Sequence, residues 1–271
     1  MNTWLLFGIG SALMVCVFTA AWAWARRINN YSIVDAVWAY GIGLTGSLWL
    51  MPSAGGSLKQ TVAVALLVSW SLRLGFHLQE RIRKAHPEED ARYKKLRGVW
   101  HDRVSSAFLW FFLAQAGSVV VLALPFLAIS NCADQSWGIW ETAGLCACLI
   151  GIFGEALADS QMKQFKISHK GSATVCQTGL WRYSRHPNYF FEAVIWCGFY
   201  LYACGSPWGW ATFHAPFIII YLLLRVTGIP PTEAAAVLRK GEAYRLYQKT
   251  TSAFIPWPPK SENSNTNTSS P

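Results

Sequence analysis

Apolar residues run through this chain in seven long stretches, with polar and charged residues gathered between them. The stretches fall at about 3–25, 33–51, 60–80, 105–129, 137–158, 188–206 and 208–226, each near the roughly 20 residues that a helix needs to cross a bilayer. The pattern predicts an all-α integral membrane protein of about seven transmembrane helices. It forms one membrane domain over 1–259, followed by a disordered polar tail over 260–271 that reads KSENSNTNTSSP. The first stretch lacks a basic n-region and is long, so it reads as a retained first helix and not as a cleaved signal.

Charge gives the predicted helices a direction. If every second connection faces the cytoplasm, 22 of the 23 Lys and Arg residues lie on that side and only Lys59 on the other. This asymmetry places the N-terminus outside and the C-terminus in the cytoplasm. Composition agrees with a membrane protein: 53% hydrophobic, 15% aromatic and 14% charged, with a positive mean hydropathy. The net charge of +9 fits cytoplasmic loops held against anionic lipid headgroups, so membrane lipids are expected partners and nucleic acid is not. Seven Cys include no CxxC pair, and neither a metal site nor a disulfide framework is expected.

Several polar residues stand out against this background. GIGLTG at 41–46 has dinucleotide-fingerprint spacing but lies inside an apolar helix, where small residues let helices approach closely. Asp35 enters the second stretch; it is either a functional group at membrane depth or a carboxylate that caps the helix or pairs with Arg26 or Arg27. Trp70, Arg73, His77, Arg81 and Lys84 share one helical stripe, and the depth of Arg73 is not explained by snorkelling. Glu155, Asp159, Lys163 and Lys166 follow at i, i+4, i+8 and i+11, either as a solvated ion-paired helix end or as carboxylates for ribose hydroxyls followed by cations for phosphates. In WRYSRHPNYFFE, Pro187 suits the first turn of a helix, so Asn188 and Glu192 lie one turn apart just inside the membrane with Arg182, Arg185 and His186 just outside. An amide and a carboxylate can grip an amide-bearing ring there while the cations take phosphates.

The segment TGLWRYSRHPNYFFEAVIWCGFYL, with GEALADSQMKQFK before it and RKGEAYRLYQKTTSAFIPWPP after it, resembles the C-terminal domain of the steroid 5-alpha-reductase family, in particular its bacterial members. SIVDAVWAYG, WSLRLGFHLQERIRK and DARYKKLR extend the resemblance over nearly the whole chain. RHPNY is also shared with the related isoprenylcysteine carboxyl methyltransferases and sterol reductases, which hold S-adenosylmethionine or NADPH at that loop. The resemblance implies a seven-helix reductase of a bacterial inner membrane that binds NADPH. By the same resemblance Asn188 and Glu192 match the nicotinamide-side pair, Asp159, Lys163 and Lys166 the nucleotide-contacting positions, and Arg73 and Lys84 basic positions of the third helix. Tyr244 and Tyr247 fall in the region that closes over the cofactor, and Arg182, Arg185, His186 and Tyr189 complete the expected cofactor set. Trp70 stands where the steroid enzymes carry a substrate-holding Tyr, and Phe191 where they carry Gly, so steroid specificity is not implied.

These features together give the expectation of a monomeric NADPH-dependent reductase of a carbon–carbon double bond conjugated to a carbonyl, in a lipophilic steroid- or isoprenoid-like substrate taken from the bilayer. Asp35, Trp70 and Tyr31 are the candidate donors to the carbonyl oxygen, in that order, with Glu192 beside the nicotinamide; Asp35 would have to be protonated, which burial favours. Two alternatives stand: an S-adenosylmethionine-dependent methyltransferase of lipid or prenyl-thiol carboxylates, and a non-catalytic lipid-binding membrane protein.

Overall fold

A computed structural model describes residues 2–51, 57–132 and 136–260; the tail beyond Lys260 lies outside the described residues. Among these, the regular elements are helical apart from one parallel bridge between Ser184 and Ser252. Six helical stretches are long and apolar enough to cross a membrane: Thr3–Arg27, Tyr31–Leu50, Leu58–Ala85, Ala91–Ser130, Ile139–Ser168 and Gly209–Lys240. The chain is a multi-pass integral membrane protein.

Local chemistry sets the helix ends. Helix α1 (Thr3–Arg27) starts at Asn2, whose side chain accepts from the Trp4 amide at 2.9 Å. Asn30 likewise accepts from the Ser32 amide at the short helical turn that leads into α2 (Val34–Leu50). Helix α3 (Leu58–Ala85) is followed by α4 (Ala91–Trp100), a helix that the apolar pattern does not announce because its residues are mostly polar; Asp90 caps it. Then come α5 (Val104–Ser130), α6 (Ile139–Ser168), α7 (Pro187–Cys204) and α8 (His214–Tyr221), which ends in a π turn at Leu222–Val226. Helix α9 (Ile229–Lys240) carries its prolines in the first turn, where a missing amide costs no hydrogen bond. Gly241, at φ +56°, joins it directly to α10 (Glu242–Thr250).

Helix α7 is not among the six apolar stretches. Its 18 residues include Pro187, Asn188 and Glu192 near its start, and these offset the apolar residues that follow. Helix α6 is longer than the expected crossing: 30 residues make about 45 Å at 1.5 Å per residue.

The chain forms two compact units. Unit 1 holds residues 1–143 and 200–215; unit 2 holds 144–199 and 216–271. In unit 1, α2 packs against α1, α3 and α5. The glycines of GIGLTG make that approach possible. A Cβ on Gly43 would stand 2.2 Å from Ser71 Oγ, and one on Gly46 would stand 2.5 Å from Leu67 Cδ2. In unit 2 the same device brings α6 to α7, where a Cβ on Gly154 would meet the Phe191 ring at 2.4 Å.

Lys59 lies in unit 1 with its Nζ 2.7 Å from Glu141 Oε1, and their side chains are only 5% and 3% exposed. The Gly138 amide donates to Glu141 Oε2 at 2.9 Å. Because neither charge reaches water, each is tolerable only with the other. Glu141→Gln is therefore expected to lower stability by about 3–5 kcal/mol, the cost typical of leaving a buried charge alone, whereas Lys59→Met with Glu141→Leu recovers most of it. Denaturant unfolding of the detergent-purified protein checks both; equal losses in the single and double variants would refute the coupling.

Candidate functional site

The RYSRHP segment of unit 2 is fixed by hydrogen bonds from several elements. The Trp181 indole donates to the Ala158 carbonyl of α6 at 2.9 Å, and the Leu180 amide donates to Gln161 Oε1 at 2.9 Å. From α10, the Tyr247 hydroxyl donates to the carbonyls of Trp181 and Ser184. The C-terminal segment runs alongside: the Arg185 amide donates to the Ser252 carbonyl at 2.8 Å, Ser184 Oγ to the Phe254 carbonyl at 2.8 Å, and the Trp257 amide to the Tyr183 carbonyl at 2.9 Å.

Within this frame lies a buried charged cluster. Glu233 Oε1 accepts from Arg185 Nε at 2.6 Å and from His186 Nε2 at 3.1 Å, while Oε2 accepts from Gln248 Nε2 at 2.7 Å. Arg185 also donates to the carbonyls of Gln248, at 2.9 Å, and Thr251. The His186 ring stacks on Tyr189, with centroids 5.2 Å apart and planes 3° from parallel, and the Tyr189 hydroxyl is 3.1 Å from Thr232 Oγ1. Burial, reinforced by the Glu233 charge, pushes the Tyr244 phenol up to about 12; burial pushes Tyr247 up as well. Both stay neutral donors at physiological pH.

Asn188 and Glu192 occupy the first turns of α7 as expected. Glu192 is buried and accepts from the Trp196 indole at 2.9 Å, a partner four residues on that the sequence reading did not assign. Asn188 Oδ1 is buried and takes no hydrogen bond among the described residues. On α6, Asp159 is half-buried and Lys163 and Lys166 are exposed, as is Arg182 in the turn before α7. Lys240 stands 5.8 Å over the Phe165 ring and so adds a cation near the end of α6.

Two cations assigned to phosphates have other employment here, since Arg185 and His186 are spent on Glu233 and on backbone carbonyls. Tyr247 likewise is buried in the loop it supports. Glu233, Gln248 and Lys240 were missed by the sequence reading. The available signal for Glu233 was its place in IPPTEAAAV, the one carboxylate of its helix.

The remaining sequence candidates belong to unit 1. Asp35 accepts from Arg92 Nη2 at 2.6 Å and from the Tyr93 hydroxyl at 2.6 Å, with Arg81 Nη2 at 3.4 Å. Arg81 and Arg92 also reach Asp90, at 3.2 and 3.0 Å. Both oxygens of Asp35 are acceptors in this cluster. Its partners are Arg92 and Arg81, neither of the two arginines at the end of α1. Tyr31 is buried against Phe108, ring centroids 3.7 Å apart, with the Arg97 guanidinium 4.7 Å from its ring centroid. Trp70 is fully buried edge-on to Trp38. Arg73 is half-buried on α3, and Lys84 is exposed and paired with Glu80 at 2.6 Å.

A family described as "Protein of unknown function (DUF1295)" matches residues 21–251. The chain belongs to that family. The match takes in the Asp35 cluster, the RYSRHP segment, Asn188, Glu192 and Glu233. A relative in Schizosaccharomyces pombe, "Uncharacterized protein C594.04c", is 24% identical over 277 residues, covering 92% of this chain and 79% of the relative. No solved structure matches.

Two outcomes follow for the unit 1 cluster. Asp35→Asn is expected to cost roughly 1–3 kcal/mol of stability in thermal unfolding, because Arg92 and Tyr93 lose a charged acceptor; lost turnover at unchanged stability would instead restore the donor role. Burial alone would raise the Asp90 carboxyl, but hydrogen bonds from Arg92 and the Arg92 and Arg81 charges hold it below its ordinary value. A depressed carboxylate stabilises above its unfolded value of about 4 and loses that contribution as pH falls through the folded value. Amide exchange over Ala91–Trp100 should therefore rise on acidification below that range, after correction for the intrinsic rate, and earlier than exchange in α2.

Proposed function

We propose that this protein is an NADPH-dependent membrane reductase of a carbon–carbon double bond conjugated to a carbonyl, in a lipophilic steroid- or isoprenoid-like substrate. The observation that carries the reading is Asn188 Oδ1, a buried acceptor with no partner among the described residues, one helical turn from Glu192. Such an atom is costly unless a ligand supplies a donor, and a nicotinamide carboxamide has one. The cofactor, when bound, would supply the hydride. Asn188 would accept from the carboxamide, while Glu192, already aligned by the Trp196 indole, would limit how far the ring can turn. We assign Lys163, Lys166, Arg182 and Lys240 of unit 2 to the phosphates.

One observation favours a second reading. With Arg185 engaged by Glu233 and by backbone carbonyls, one cation fewer is left for phosphates, and a phosphate-free cofactor such as S-adenosylmethionine would need fewer. Mass spectrometry of small molecules released from the denatured, detergent-purified protein separates the two: NADP supports the reductase, and an S-adenosyl compound the methyltransferase. Asn188→Ala is expected to weaken NADPH binding by about tenfold with little loss of stability, because it removes a ligand acceptor. Fluorescence titration measures this, and full affinity in the variant would sink the assignment.

We also propose seven crossings, with α7 among them, an external N-terminus and a cytoplasmic C-terminus in a bacterial inner membrane, on the grounds of the Lys and Arg asymmetry. A C-terminal reporter active only on the far side of the membrane would reverse the orientation.

A further inference from the structure

We propose that Glu233 is the positioning residue of the unit 2 site, holding the head of α7 so that Asn188 is presented, and that it acts through its neighbours and not on the ligand. The inference deepens the cofactor reading above and rests on it only for its binding arm.

Glu233 has both oxygens occupied, by Arg185 Nε, His186 Nε2 and Gln248 Nε2 at 2.6, 3.1 and 2.7 Å. A carboxylate whose oxygens already meet three donors has little left to offer a ligand. What it does offer is direction. A carboxylate can only accept, so Nε2 of His186 must carry the hydrogen, and the ring is fixed in one orientation. That ring lies parallel to Tyr189 with centroids 5.2 Å apart. The Tyr189 hydroxyl is 3.1 Å from Thr232 Oγ1, the residue next to Glu233. His186 and Tyr189 are the residues on either side of Pro187 and Asn188. Adjacent side chains of α9 thus grip the chain on both flanks of the unsatisfied amide.

Arg185 extends the grip to the C-terminus. Its guanidinium donates to the carbonyls of Gln248 and Thr251, and its amide donates to Ser252 at 2.8 Å. A plain structural ion pair would need Glu233 and Arg185 alone. The added contact to His186, and through its ring to Tyr189, is what ties this carboxylate to the position of Asn188.

Glu233→Gln keeps the shape but replaces one acceptor with an amide nitrogen that cannot accept; Glu233→Asp keeps the charge and both acceptors. Hydrogen exchange of the full-length protein in detergent is followed over residues 184–190 and 252–257, with α2 as control, alongside titration with NADPH. For Glu233→Gln, exchange in both segments should rise by about tenfold or more while α2 is unchanged. The NADPH Kd should rise by about tenfold or more, and Glu233→Asp should recover most of each loss. Unchanged protection over 184–190 overturns the proposal, and so does loss of protection throughout the chain. A raised Kd with unchanged protection makes Glu233 a ligand contact and overturns it equally. If the native protein binds no NADPH, the cofactor reading fails by itself, and the exchange comparison still decides the positioning role.

Discussion

A carboxylate removed from water has to be met by donors, and in unit 2 the meeting of Glu233 with Arg185, His186 and Gln248 organises everything around it. Desolvation would make a lone charge at this position untenable, so α9, α10 and the RYSRHP segment are drawn to one point. The interaction is specific as well as strong. A guanidinium presents its N–H groups in a fixed plane, and an imidazole bound through one nitrogen has little freedom to rotate. Order at a short loop is thereby imposed by residues nearly 50 positions away in the chain.

Unit 1 follows the same rule with different residues. Asp35 and Asp90 face Arg81 and Arg92, and Glu89 faces Arg97, where α4 comes back to the ends of α2 and α3. These pairs are partly exposed, so each contributes modestly, and their weight comes from forming a network. The Tyr93 hydroxyl on Asp35 joins that network to the aromatic packing of Phe108 and Phe111. A group that looked chemically poised from its sequence position is thus part of how a polar helix is held against an apolar bundle.

Hydropathy made the crossing helices legible, because a run of apolar residues long enough to span a bilayer has few other solutions. It could not reveal α4, whose sequence ARYKKLRGVW has no apolar run and whose helix depends on the Asp90 cap and on pairing with α2 and α3. The internal glycines were legible as packing positions, since Gly43 and Gly46 lie within an apolar helix. Asn188 and Glu192 could be placed on one face from their spacing alone. Their partners could not, because Trp196 answers Glu192 along the same helix and, among the described residues, nothing answers Asn188 Oδ1. Arg185 of RYSRHP looked like a phosphate ligand because local sequence does not disclose a distant carboxylate. Glu233 lies far along the chain, and only the fold brings it to Arg185.

The pairing of Lys59 with Glu141 carries a meaning for how the protein is made. Lys59 stands at the start of α3 and Glu141 at the start of α6. Synthesis runs from the N-terminus, so the lysine is delivered to the membrane while its counter-ion does not yet exist. Until α6 emerges, the ammonium must stay near the headgroups at the end of a flexible stem. Closure of unit 1 is therefore a late event in biogenesis, timed by a charge waiting for its partner and not by the insertion of α3 itself.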